Sequence, residues 1–372
     1  MKYGAGADRV REMVRKEFIQ ILRDPRLRRL IFLAPLFQLL VFGYAVSTDI
    51  RNTATFVVDH DQTRVSRELV DALTGSGYFR VVGRSERSGD LVHALDHGDA
   101  IVGIEIPAGF AAALRGGRGA NVQILLDGAT SNTALVARGY AERIVQEYGM
   151  EQGAMKQPPA VDLRERAWFN PGLVSRIYNV PGVSGLIIML VCLLLTSLAV
   201  VREREIGTLE QLMVSPLRPI ELIAGKTIPF AIIGLLDLTV VTLVALLWFR
   251  VPFEGNLLLL LLASVFYILS GLGLGLFIST ISKTQQEAFM VTFLIFMPTI
   301  LLSGFMFPVR SMPVLFRWLT LLNPVRHYLE IVRAIFLKGT GLTCLWPQYV
   351  ALLVMGTGIF GIAAKRFHKT IG

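Results

Sequence analysis

Five apolar runs dominate the second half of this sequence, at 182–201, 222–248, 257–280, 287–305 and 346–364, and a sixth occupies 30–47. Each is close to the 20 or so residues that a helix needs to cross a bilayer. Hydrocarbon offers no water to satisfy peptide groups, so such runs fold as helices bonded to themselves. That constraint predicts an α-helical polytopic membrane protein with six transmembrane helices. Pro35 and Gln38 interrupt the first run, which is tolerable where neighbouring helices cover the freed groups. Ala45 and Ser47 resemble a signal-peptide cleavage site, but a long charged segment precedes the run, which therefore reads as an uncleaved anchor.

Between the first and second runs the character changes: residues 50–170 are as polar as an ordinary soluble protein, and a separate domain is expected over 48–180. Strands are expected at 53–58, 78–82, 100–106 and 122–126, and helices at 64–74, 86–97, 109–115 and 131–149. Strands alternating with helices argue for an inserted α/β domain. Pro158 and Pro159 begin an extended return to the membrane.

The chain carries 37 Lys and Arg against 28 Asp and Glu, a formal charge of +9. A basic surface suits nucleic acid. Here, however, the basic residues flank the apolar runs, where they mark the cytoplasmic side of a membrane protein. Arg26, Arg28 and Arg29 precede the first run, and Lys365-Arg-Phe-His-Lys369 follows the last. Both termini are therefore expected in the cytoplasm, and residues 48–180 outside it. Residues 8–24 form a basic amphipathic helix, with Val10, Met13, Val14, Phe18, Ile21 and Leu22 on one face. Such a helix lies in the membrane interface, and 1–29 reads as a cytoplasmic elbow. The segment 306–345 is expected outside, although it holds Arg310, Arg317, Arg326, Arg333 and Lys338 against Glu330. A re-entrant hairpin with an interfacial helix over 323–337 accounts for it, with basic side chains snorkelling to headgroups.

The most informative stretch joins the second and third runs: Val201-Arg-Glu-Arg-Glu-Ile-Gly-Thr-Leu-Glu-Gln-Leu-Met-Val-Ser-Pro-Leu-Arg218. Arg202, Glu203, Arg204 and Glu205 form a mixed-charge cluster at the membrane exit. Thr208 is placed to cap a short helix over 209–214, which Ser215-Pro216 ends. A short helix across a cytoplasmic loop suits docking on a soluble partner. An ordinary charged juxtamembrane loop has the same composition.

This run closely resembles the coupling-helix signature of ABC-2 type transporter permeases, which Glu203, Glu205, Gly207, Thr208, Leu209, Glu210, Leu212, Ser215 and Pro216 match. Arg15–Arg26 looks like that family's elbow helix, and 302–309 and 323–339 look like its outer helices. The resemblance covers essentially the whole chain. It implies a non-catalytic permease subunit of an ATP-driven exporter in a bacterial inner membrane, with 203–216 as the coupling helix. It also implies a separate ATP-binding subunit that holds ATP and Mg, this chain binding no cofactor, and a second permease subunit in a homo- or heterodimer. The outer domain would suit a periplasmic adaptor. The implied substrate is a small hydrophobic or amphipathic molecule, drug-like or lipid-like, moved outward by alternating access. Ion efflux is an alternative. A membrane-anchored receptor with 48–178 as its binding part is another.

Other motifs point less far. Ala224-Gly-Lys-Thr227 has the end of a P-loop, but Ile220 stands where the first glycine belongs, and an apolar run follows. With no P-loop, ATP hydrolysis is left to a partner. Gly271 and Gly275 form a small-xxx-small pattern suited to helix packing. Asp237, deep in the third span, is either a translocation-path residue or a structural hydrogen-bond donor or acceptor. Gln38 and Tyr267, with Ser264 and Ser270, are further candidates for that path. His93 and His97 have a spacing that can bind metal, yet no other ligand pattern accompanies them. Cys192 and Cys344 form no disulfide or zinc framework.

Overall fold

Proline has no backbone N–H and disfavours a helical residue before it, so the first helix should stop at Asp24-Pro25. It does: α1 covers Gly4–Arg23. A helical turn (Pro25–Arg28) and a π-helical turn (Arg29–Leu33) lead into α2, Ala34–Ala45. The structure is a computed structural model that describes residues 4–45, 52–116, 120–127, 131–151, 169, 174–208 and 218–371. The chain divides into two compact units: residues 1–47 with 168–372, and residues 48–167.

The smaller unit holds strands β1 (Thr53–Asp59), β2 (Phe79–Ser85), β3 (Val102–Ile106) and β4 (Gln123–Leu126). Its helices are α3 (Arg64–Gly75), α4 (Ser88–Asp96), α5 (Phe110–Arg115) and α6 (Ser131–Glu151). The sheet runs β2-β1-β3-β4, with β1 parallel to β2 and β3, and β4 antiparallel to β3. Val57, Leu69, Leu73, Ile104, Phe110 and Ala141 join α3, α5 and α6 to one sheet face in a single core. Leu91 of α4 lies against Gly103 of β3, where a Cβ would come within 2.6 Å of it. Thr63 caps α3, exchanging hydrogen bonds with Ser66. This unit ends at residue 167, short of the expected 180, because the next helix starts at Ser175 and already buries Asn179 and Val180.

The larger unit is a helical bundle. It comprises α1 and α2 with α7 (Ser175–Ile206), α8 (Pro219–Leu247), α9 (Leu257–Ile281), α10 (Gln285–Leu301), α11 (Val314–Thr320), α12 (Pro324–Arg333) and α13 (Leu342–Ile371). Among the described residues, α7, α8, α9 and α13 are long and apolar enough to cross a membrane. The first and fifth expected spans are shorter, at Ile31–Tyr44 and Gln285–Leu301. The fifth stops before residue 305 because the chain turns through Leu302–Gly304, and Gly304 has φ +81°, a conformation that favours glycine.

Glycines on α9 bring helices into backbone contact. A Cβ on Gly275 would lie 3.0 Å from the Leu193 carbonyl of α7, and one on Gly273 would lie 2.8 Å from the Phe360 nitrogen of α13. Two expectations need correction. Arg202–Glu205 continue the helix α7 and are not part of a loop, since Gly207 (φ +78°) is the first residue to leave it. The helix expected at the interface over 323–337 is α12, with a π-helical turn at Ala334–Lys338, and it is packed into the bundle. Val325, Tyr328, Leu329, Ile331 and Val332 are buried in the main apolar core, so its amphipathic face meets protein.

Candidate functional site

The four charged residues that end α7 each hold a different part of the bundle. Arg202 donates to Asp24, just past α1, at 2.8 Å. Glu203 accepts from Lys16 of α1 at 2.7 Å and lies 2.5 Å from Lys226 of α8. Arg204 donates to the carbonyls of Ser279 and Ser282 at the end of α9, at 3.1 and 2.9 Å. These carbonyls are unsatisfied by the helix itself and carry its negative dipole end, which suits a guanidinium. Glu205 accepts from the backbone and side chain of Gln285, which opens α10. An i, i+1, i+2, i+3 series on a helix points in four directions, so one short charged run reaches four helices.

Two of the residues involved had no functional reading in the sequence. Lys226 belongs to the false P-loop; it is 2% exposed, and its ammonium also lies 3.3 Å from Glu17. Thr227 returns its hydroxyl to Ile223, and Gly225 is the seat of Met13, whose Cγ would be 2.5 Å from a Cβ there. Thus Ala224–Thr227 is where α8 receives α1. Glu17 is 3% exposed. The buried face of α1 is Met13-Glu17-Ile21, whereas Leu22, expected on the apolar face, is exposed. A carboxylate four residues from each of two apolar neighbours on a helix face was the available signal for a buried ion pair. Arg9 clamps the start of α1 to Glu221 at 2.8 Å. Burial works to lower the Lys16 pKa, but its bonds to Glu203 and Glu17 outweigh this and raise it.

A cavity of about 260 Å³ adjoins this cluster, lined by Glu17, Gln20, Asp24, Arg202 and Gln285 on its polar side and Ile21, Leu195, Leu198, Ala199 and Phe230 on its apolar side. Of the expected coupling residues, Gly207 and Thr208 lie just beyond the cluster, Thr208 donating to the Glu203 carbonyl at 3.3 Å. Leu209, Glu210, Leu212, Ser215 and Pro216 lie outside the described residues.

The three candidates for a translocation path lie on three helices, Gln38 on α2, Asp237 on α8 and Tyr267 on α9. Among the described residues no hydrogen bond joins them to one another. Tyr267 is fully buried, donates to the Gly185 carbonyl at 2.8 Å and stacks on Tyr328. Ser264 bonds to Tyr328 in the same cluster, and Ser270 to its own helix. Asp237 is buried with Oδ2 unbonded. In the smaller unit the His93 and His97 rings stack at 3.9 Å. Cys192 is buried and Cys344 exposed.

The family described as "ABC-2 family transporter protein" matches residues 29–365. The chain is 36% identical over 361 residues to the "Probable multidrug ABC transporter permease YbhR" of Escherichia coli (strain K12), covering 96% of this chain and 98% of that protein. It is 33% identical over 366 residues to the "Probable multidrug ABC transporter permease YbhS" of the same organism, covering 96% and 97%. It is 29% identical over 364 residues to the "Inner membrane transport permease YhhJ" of that organism, covering 93% and 96%.

Proposed function

The chain belongs to the ABC-2 transporter permease family, and on that premise we propose that it is the membrane subunit of an ATP-driven exporter, carrying a small hydrophobic or amphipathic substrate outward. The observation that carries this reading is the end of α7. Its four charges tie α1, α8, α9 and α10 together immediately before Gly207-Thr208, where the coupling signature continues into residues 209–216. A push delivered to that loop by a soluble subunit meets a structure braced to pass it to most of the bundle. The chain has no P-loop of its own, which suits a separate ATP-binding subunit as the source of that push.

In this reading the bilayer is crossed six times, by α2, α7, α8, α9, α10 and α13, with both termini in the cytoplasm and the α/β unit outside. The charged cluster then lies at the cytoplasmic end, as basic residues do. Tyr44, Trp248 and Phe249 lie at the other end, the Trp248 indole donating to Tyr44 at 3.0 Å, as interfacial aromatics would. The 14 residues of Ile31–Tyr44 span only about 21 Å as a helix, so the elbow must start inside the headgroup layer. Two permease subunits complete the path and alternate its access between the two sides.

The test is assembly and turnover. The chain co-expressed with an ABC ATP-binding subunit from the same organism is expected to purify as a stable complex whose ATP hydrolysis falls when Leu209→Asp is introduced. A chain that retains no ATPase through purification, or an L209D complex with unchanged hydrolysis, overturns the reading.

A further inference from the structure

Lys16, Glu203, Lys226 and Glu17 form a closed circuit of alternating charge. Its four sides are Lys16–Glu203 at 2.7 Å, Glu203–Lys226 at 2.5 Å, Lys226–Glu17 at 3.3 Å and Glu17–Lys16 at 3.4 Å. Three of its members are almost without solvent, and they come from three helices, with Glu17 and Lys226 separated by 209 residues of chain. A buried charge that loses its partner keeps its full desolvation cost. Neither α7 nor α8 can leave at this level without stranding a carboxylate or an ammonium, and α1 can leave only by breaking two of the four pairs at once. Met13 seated on Gly225, and the pairs Arg9–Glu221 and Arg202–Asp24 at 2.8 Å, hold α1 at both ends of the same contact. The cavity beside the joint is lined by α1, α7 and α8 and touches α10 only at Gln285.

We infer that this circuit is a latch that makes α1, the end of α7 and the start of α8 one rigid body, which moves as a piece when the coupling loop is pushed, with Lys226 as its positioning residue. This rests on the exporter reading for the source of the push, but the rigidity itself does not. Without the latch, a displacement at residues 207–218 would be spent in bending the end of α7 away from α1. With it, the elbow helix and two spans share one motion.

The experiment measures the separation of α1 from the end of α7 by paired spin labels. The labels replace Glu12 and Ile206, both well exposed, in a chain whose exposed Cys344 is first changed to Ser. The sample is the full complex with its ATPase in nanodiscs, with and without ATP and vanadate. The native circuit is expected to give one narrow separation that does not change with nucleotide. The charge-balanced variant Glu203→Gln/Lys226→Met, which leaves Lys16 and Glu17 paired, is expected to lose that single separation for a broad one in both states. If that variant does not fold, Lys16→Gln/Glu17→Gln, which opens the circuit from its more exposed side, is read in the same way. A nucleotide-dependent separation in the native protein, or a variant that keeps the narrow separation, overturns the latch. A permease that binds no ATPase overturns the exporter reading instead, and the nucleotide-free comparison of native and variant chains still decides the latch.

Discussion

At the scale of the residue, Lys226 carries the sharpest energetic prediction. Lys226→Met leaves Glu17 and Glu203 to share Lys16, and is expected to destabilise the folded chain by about 3–5 kcal/mol. Glu203→Gln/Lys226→Met removes one charge of each sign and should cost less than half as much. Thermal unfolding in detergent measures both, and equal losses would mean that the circuit contributes no pairing energy. Gly275 offers a second test, of packing. Gly275→Ala sets a Cβ 2.8 Å from Thr196 Cβ and 3.0 Å from a backbone oxygen, which cannot retreat like a side chain. Overpacking of that kind costs roughly 1–3 kcal/mol. Gly361→Ala, with nothing within 4 Å, is the matched control expected to show no loss. Neither Lys226 nor Glu17 could be read as a pair from the sequence. Their meeting depends on how α1 lies against α8, which no local pattern encodes. The polar residue within the apolar face of α1 was visible; its partner was not.

At the scale of the element, periodicity was enough. Each strand and helix expected in the α/β unit is present, most within two residues of its expected ends, because alternation and turn chemistry are local. What locality could not supply was the faces: α12 was expected on a surface and is buried, since an amphipathic helix looks the same whether protein or headgroups cover it. Two predictions belong here. The Tyr148 hydroxyl of α6 donates to the Val65 carbonyl of α3 at 2.9 Å in a buried contact. Tyr148→Phe is expected to cost about 1 kcal/mol, read as faster amide exchange in α3 and α6. Ser88 and His60 both bond to Glu105, in that order of effect, and hold its pKa below the ordinary carboxylate range. A lowered folded pKa means stabilisation that is present above the unfolded value, about 4.3, and lost as pH falls through the lower folded one. Native protein should therefore lose a small increment of stability as pH falls below about 4.3, an increment that is smaller in Ser88→Ala, and identical acid titrations would refute the assignment.

At the scale of the whole molecule, topology is the claim most worth testing. Val92→Cys, exposed on α4, is expected to react with an impermeant maleimide on intact cells, and Lys365→Cys only after the cells are permeabilised, both in the Cys344→Ser chain. Labelling of Lys365→Cys from outside would reverse the orientation. The close approach of α9 to both of its neighbours has a consequence of its own. Gly275 puts its backbone on α7 and Gly273 on α13, so α9 stands between them as a bulkhead with no gap for side chains, let alone for a passenger. On the exporter reading proposed above, a cargo cannot thread these two seams at the level of the glycines, so its route follows the flank of the subunit, a half-pipe that a second subunit would close into a tube.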